Sequence, residues 1–130
     1  MITIHILLVD DETDTEFLFK SFFRKWIKEG KVRLSFTPDA SQALDKLSLE
    51  EGKDIILILS DINMPGMDGI ELLNTVKKSY PHIDVFMMTA YDNEQYRKDA
   101  KDGGALNYLT KPIDFNFLKE EILKLHPQIV

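Results

Sequence analysis

Three carboxylates, a hydroxyl and an ammonium stand at the ends of short apolar runs in this chain. Ile4–Val9 leads into Asp10-Asp11 and Ile55–Ser60 leads into Asp61. Val85–Thr89 closes on a threonine followed by Ala90, and Ala105–Leu109 is soon followed by Lys111-Pro112. Oxygen donors of this kind suit Mg²⁺, which takes one or two carboxylates, a carbonyl, waters and a phosphate oxygen. With such an ion bound, Asp61 can act as a nucleophile towards phosphorus and form an acyl phosphate. The metal, the Lys111 ammonium and the Thr89 hydroxyl would stabilise the phosphoryl oxyanions.

Taken singly, these residues have plainer explanations. An Asp after a strand is often only a helix cap, and a Lys there is usually solvated. Thr13 and Asp68 stand where caps are needed, which releases Asp10, Asp11 and Asp61 from that job. If the strands lie in register, every candidate also falls on the same edge of one sheet.

The elements that must position them can be read from periodicity. Apolar runs alternate with amphipathic stretches, giving strands at Ile4–Val9, Val32–Phe36, Ile55–Ser60, Val85–Thr89 and Ala105–Leu109. Helices are expected at 13–28, 39–48, 68–79, 92–101 and 114–125. The run from Ile55 to Leu59 lacks polar alternation and is too short for a buried helix, as expected of a parallel strand covered on both faces. Capping-box signatures open four helices: Thr13 with Glu16, Asp39 with Gln42, Asp68 with Glu71 and Asp92 with Gln95. Gly30, Pro81 and Gly103-Gly104 mark stops.

Such alternation implies an α/β fold: a five-stranded parallel sheet, doubly wound, with right-handed crossovers and helices on both faces. Ligands of open parallel sheets sit beyond the carboxyl ends of the strands. No repeat or linker interrupts the pattern, so one domain over residues 1–130 is expected.

Composition narrows the functions. A chain of 130 residues, 44% hydrophobic and 29% charged, suits one ordinary core. A formal net charge of −6, without a run of Lys and Arg, argues against direct nucleic-acid binding. The lack of cysteine excludes disulfides, thiolate metal sites and cysteine nucleophiles. The first apolar run meets Asp10 and Asp11 before a signal-peptide core is complete, and no run approaches the roughly 20 residues that span a bilayer. A cytoplasmic protein with no membrane contact is expected.

Taken together, the motifs Leu-Leu-Val-Asp10-Asp11-Glu, Ser-Asp61-Ile-Asn-Met-Pro-Gly-Met-Asp-Gly69, Met-Thr89-Ala90 and Leu-Thr-Lys111-Pro112 resemble those of two-component response regulator receiver domains. The resemblance covers essentially the whole chain and implies the CheY-like, flavodoxin-like (βα)5 fold with strand order 2-1-3-4-5. It makes Asp61 the phosphoacceptor, Asp11 a direct Mg²⁺ ligand, Asp10 a ligand largely through water, and the Asn63 backbone carbonyl a further ligand. Lys111 would pair with the Asp61 carboxylate and then with the phosphoryl group. Thr89 would move towards a phosphoryl oxygen, and Tyr108 would turn inward as it does.

The same resemblance gives Ala90 the role of leaving room for an incoming phosphohistidine. Pro112 would be a cis proline aiming Lys111 into the site, and Gly69 would fit the tight turn into the third helix. Tyr91 sits where access of water to the acyl phosphate is adjusted, and its bulk would slow self-hydrolysis. The implied partners are a sensor histidine kinase or histidine phosphotransfer protein, and an output protein or domain that reads helix four, strand five and helix five. The stretch from Asp11 to Asp61 is a few residues longer than the family suggests, with the surplus near 28–31 or 49–53.

Some features fall outside the motifs. On the first helix Leu18, Phe19, Phe22, Phe23 and Trp26 share an arc and are expected in the core, whereas Phe17 falls off it and could touch a partner's helical bundle. His5, His82 and His126 share no metal-ligand spacing and are expected at the surface or in loops. Met87-Met88 reads as core filling. Two rival functions remain. A haloacid-dehalogenase-type phosphatase is echoed by Asp61-Ile-Asn63, although Asn63 replaces the general acid and the length leaves no room for a cap domain. The other is an interaction module of the same fold that is never phosphorylated.

Overall fold

The computed structural model describes residues 3–129. Among them, β1 (Ile4–Val9), β2 (Val32–Thr37), β3 (Ile55–Asp61), β4 (Asp84–Thr89) and β5 (Asn107–Thr110) form one parallel sheet in the order β2-β1-β3-β4-β5. The helices are α1 (Thr13–Phe22), α2 (Arg24–Lys28), α3 (Ala40–Ser48), α4 (Gly69–Ser79), α5 (Glu94–Asp102) and α6 (Phe115–Leu125). Short 3₁₀ turns occupy Glu50–Gly52 and Pro127–Ile129.

The sheet is buried on both faces, which is why its inner strands carry apolar residues without alternation. On one face Leu7, Val9, Ile58 and Met87 pack under α3, α4 and α5, against Ala43, Leu73, Val76 and Ala100. On the other, Ile6, Leu8, Leu57, Leu59, Phe86 and Met88 pack under α1, α2 and α6, against Phe19, Phe23, Leu118 and Ile122. Each such aliphatic side chain contributes roughly 1.5–3 kcal/mol on burial, so the central strands are the rigid frame of the molecule.

Several expectations need correction. The first helix is not continuous, because Phe23 (φ −92°, ψ 7°) makes a tight turn between α1 and α2. Gly30 (φ 73°) then closes α2, with the Lys31 N–H on the Trp26 carbonyl and the Gly30 N–H on the Ile27 carbonyl. The left-handed conformation at Gly30 is the one a Cβ would oppose.

The buried arc of this helical segment is narrower than expected. Thr15, Phe19, Phe23 and Trp26 fall within about 80° at 100° per residue and are buried, whereas Leu18 lies about 100° from Phe19 and is 53% exposed. Phe22 is half-buried, stacked on Phe115 with ring centroids 4.5 Å apart.

Caps differ too. Asp39 and Asp68 accept the N–H groups of Gln42 and Glu71 as expected. Thr13 lies inside α1 and caps nothing; Asp10 instead accepts the Glu12 N–H at 3.0 Å. Asn93, not Asp92, caps α5 through the Tyr96 N–H, leaving Asp92 free to pair with Arg97. Asp114 caps α6. Strand β5 begins at Asn107, so Ala105 and Leu106 precede it.

His5 is neither a surface nor a loop residue. It lies in β1 at 1% exposure, with Nδ1 2.7 Å from Asp54 Oδ1 and Nε2 2.7 Å from Ser35 Oγ. His82 is exposed and His126 half-buried.

Candidate functional site

Parallel pairing brings the chemical residues to one edge. Asp61 ends β3 opposite Met88, Thr89 ends β4 opposite Thr110, and Asp10 follows β1 with its N–H on the Thr37 carbonyl. The Lys111 N–H bonds the Thr89 carbonyl at 2.8 Å, which returns the chain after β5 to the same place. A cavity of about 280 Å³ opens there, lined by Asp11, Glu12, Asp61, Asn63, Ala90, Tyr91 and Lys111.

Carboxylate oxygens of Asp10, Asp11, Glu12 and Asp61 all lie within 4.8 Å of one another. Asp10 and Asp61 are buried, whereas Asp11 and Glu12 are exposed at the mouth. An all-oxygen, multiply anionic donor set of this kind fits a hard divalent cation such as Mg²⁺.

The Lys111 ammonium holds the cluster together. Its Nζ lies 2.7 Å from Asp10 Oδ2, 3.5 Å from Asp61 Oδ2 and 3.7 Å from Glu12 Oε1. Its nearest carboxylate is therefore Asp10, not Asp61. Burial works against the Lys111 charge, but the Asp10, Asp61 and Glu12 carboxylates more than offset it and hold its pKa above the usual value. Burial pushes the Asp61 carboxyl up to about 6; Lys111 pulls it down, Asp10 pushes it further up, and the Asn63 N–H lowers it again.

Thr89 is tied into a polar chain. Its hydroxyl donates to Asn63 Oδ1 at 3.0 Å and accepts the Tyr91 N–H at 2.9 Å. The Asn63 side-chain amide in turn donates to the Tyr96 hydroxyl at 2.8 Å. Tyr108, half-buried on β5, donates to Asp92 Oδ1 at 3.1 Å beneath the Arg97 guanidinium, which lies 4.7 Å from the ring centroid.

Gly69 opens α4 against the back of the site. A Cβ there would come within 2.1 Å of the Asp61 carbonyl oxygen and 2.8 Å of Ile62 Cα. Close backbone approach, not a special dihedral, is what requires glycine. The Lys111-Pro112 bond is cis. Ala90 is exposed at the mouth, as is Tyr91, which is 68% exposed. Phe17 is 72% exposed and is not among the residues lining this cavity. The neighbouring groove of about 380 Å³ is lined by Leu18, Phe19, Pro112, Ile113 and Phe115 together with Lys111, and Leu18 there is 53% exposed.

Two site residues carry no role in the motif reading. Glu12 continues the Asp10-Asp11 run and was legible as a third acid. Tyr96 lies 33 positions from Asn63 and carries no local signal.

Residues 6–123 match the family model of the response regulator receiver domain. The chain is 34% identical over 122 residues to sporulation initiation phosphotransferase F of Bacillus subtilis, covering 94% of this chain and 93% of that protein. It is 37% identical over 116 residues to the transcriptional regulatory protein ZraR of Klebsiella oxytoca, covering 89% of this chain but only 25% of that one. It thus spans about a quarter of the length of that regulator. Among solved structures, a CheY-like response regulator receiver domain protein from Methanospirillum hungatei superposes with a TM-score of 0.82 at 27% identity, covering 98% of this chain and 97% of that one. The chain belongs to the receiver domain family of two-component response regulators, the signalling switches of phosphorelays.

Proposed function

We propose that Asp61 accepts a phosphoryl group from a phosphohistidine on a sensor kinase or phosphotransfer protein. The observation that carries this reading is the convergence of the Asp10, Asp11 and Asp61 carboxylates and the Lys111 ammonium at one strand edge. An Asp61 oxygen attacks phosphorus, the P–N bond to the imidazole breaks, and the nitrogen keeps the electron pair. Mg²⁺, held by Asp11 and Asp61, by Asp10 through water and by the Asn63 carbonyl, would neutralise charge on the phosphoryl oxygens when bound. Lys111, already within 3.5 Å of Asp61, provides a second positive charge. Exposed Ala90 leaves the approach open, and Tyr91 stands where it can slow the entry of water during self-hydrolysis.

Thr89 then leaves Asn63 for a phosphoryl oxygen, Tyr108 leaves Asp92 and turns inward, and the surface of α5, β5 and α6 changes its affinity for an output partner. The apolar groove at Leu18, Pro112, Ile113 and Phe115 is placed to receive the helical bundle of the phosphodonor. Self-catalysed phosphorylation and dephosphorylation serve this switch; turnover of metabolites does not enter. The reading takes residues 1–130 as a single receiver domain. It places the protein in the cytoplasm.

Incubation with Mg²⁺ and acetyl phosphate, followed by intact mass measurement, tests the reading. A single phosphoryl adduct is expected in wild type and none in Asp61→Asn or in EDTA. An unmodified wild type, after trial of phosphoramidate and a phosphohistidine donor as well, would favour the interaction module of the same fold.

A further inference from the structure

The outer edge of β2 lies away from the acid cluster and is flanked by α1 and α2. Between strand and helices runs a groove of about 680 Å³. Its floor is Ile27, Val32 and Leu34, buried or half-buried, and its rim carries the exposed Lys20, Arg24, Lys28 and Arg33. Four of the chain's 16 basic residues thus gather at one groove of a protein whose formal net charge is −6. They are not contiguous in sequence: helical spacing aligns Lys20, Arg24 and Lys28, and the turn at Gly30 adds Arg33. Lys20 pairs with Glu16, and Arg33 lies 3.6 Å from Asp54. Arg24 and Lys28 form no ion pair among the described residues.

The backbone at this edge is also unpartnered by the sheet. Ile4 N–H bonds the Lys31 carbonyl and Asp10 N–H bonds the Thr37 carbonyl. In a parallel ladder alternate residues turn both backbone groups to the same neighbour. The odd-numbered residues from 31 to 37 therefore serve β1, while Val32, Leu34 and Phe36 direct their N–H and C=O groups outward. Two of these three also form the groove floor.

We propose that the β2 edge takes an additional strand: an extended acidic peptide segment of a partner protein, whose residues on the α1–α2 side of the sheet alternate between apolar and Asp or Glu. Main-chain bonds to Val32, Leu34 and Phe36 set its register. Its apolar side chains rest on Ile27, Val32 and Leu34. Carboxylates on that same side meet Lys20, Arg24 and Lys28, and any on the opposite side meet Arg33, whose side chain leaves the strand on the face away from Val32 and Leu34.

The test uses a fluorescein-labelled peptide of the repeat Val-Thr-Glu-Thr, about eight residues long, whose Val and Glu share one face of the strand, read by anisotropy and by amide NMR shifts of the whole chain. Saturable binding is expected, weakening as salt rises, with the largest shifts at Val32, Leu34 and Phe36. Charge reversal of Lys20, Arg24 and Lys28 to Glu, all exposed, should weaken binding roughly tenfold or more; Arg24→Glu alone should act in the same direction. A peptide N-methylated at every second residue, unable to complete the ladder, should not bind. Equal binding by the reversed variant or the N-methylated peptide would overturn the proposal, as would shifts that map elsewhere. Binding to phosphatidylglycerol vesicles in place of the peptide, or pairing of two copies that excludes it, would also overturn it. None of these readouts involves Asp61, so they stand apart from the phosphorylation reading.

Discussion

At the scale of the residue, Asp61, as the proposed phosphoacceptor, is caught between two needs. A nucleophile has to be ionised, yet burial lifts its pKa to about 6, and the nearby Asp10 carboxylate adds to the rise despite Lys111. A carboxyl whose folded pKa lies above its unfolded value near 4 binds protons more tightly when folded. Metal-free stability must then fall as pH rises from about 4 to about 6 and stay low above that. Asn cannot ionise and has nearly the same shape. In EDTA at pH 7.5, Asp61→Asn should therefore be more stable than wild type by about 1–2 kcal/mol, after allowance for solvent screening at the open mouth. The gap should close by pH 4. Urea unfolding of both proteins across this range checks it, and a constant gap would mean that the charge on Asp61 is already fully compensated by Lys111.

At the scale of the element, the end of the sheet opposite the site is tied by His5. Its ring joins β1 to β2 through Ser35 and to the turn before β3 through Asp54. His5→Ala would leave a cavity at a fully packed position and the half-buried Ser35 hydroxyl without its imidazole partner, while the exposed Asp54 keeps water and Arg33. A loss of about 2–3 kcal/mol is expected, lowering the melting temperature by roughly 10 °C. Phosphorylation of Asp61 at the far end should persist, so thermal unfolding and adduct mass together check the prediction. Nothing in the sequence around His5 announced this role, because its partners arrive from 30 and 49 positions away. The strands themselves were legible, since burial on both faces writes an unbroken apolar run such as Ile55 to Leu59. The edges of elements were less so. Asp10 and Thr13 compete for one turn, and Asp92 and Asn93 for one cap; which wins depends on Lys111 and Arg97, neither of which is local. Leu18 was misread because the buried arc of α1 is set by how closely α6 and Phe115 crowd it. Asp10, Asp11, Asp61, Thr89 and Lys111 could be foreseen to converge because each follows or ends a parallel strand, and register does the rest.

At the scale of the whole molecule, the proposed switch requires a charge at Asp61 to reach the face made by α5, β5 and α6. Two polar chains are poised between them. One runs from Thr89 through Asn63 to Tyr96 on α5, and the other holds Tyr108 of β5 to Asp92 and beneath Arg97. Both would have to break for Thr89 to reach a phosphoryl oxygen and for Tyr108 to turn in, so both stabilise the resting arrangement. If phosphorylation shifts a pre-existing equilibrium, weakening the second chain alone must raise the inward population before any phosphoryl group is added. Asp92→Ala removes the acceptor of the Tyr108 hydroxyl and the bidentate partner of Arg97 together, while leaving Asn93 to cap α5. A few-fold rise in the inward state of Tyr108 is expected in the unphosphorylated variant, read from the ¹⁹F spectrum of fluorotyrosine-labelled protein. The phosphorylated forms of wild type and variant should then look alike, because the phosphoryl group has already drawn the equilibrium over. An unchanged spectrum in the unphosphorylated variant would show that the Asp92 contact does not hold Tyr108 outward, and would leave the Thr89–Asn63–Tyr96 chain as the restraint on the switch.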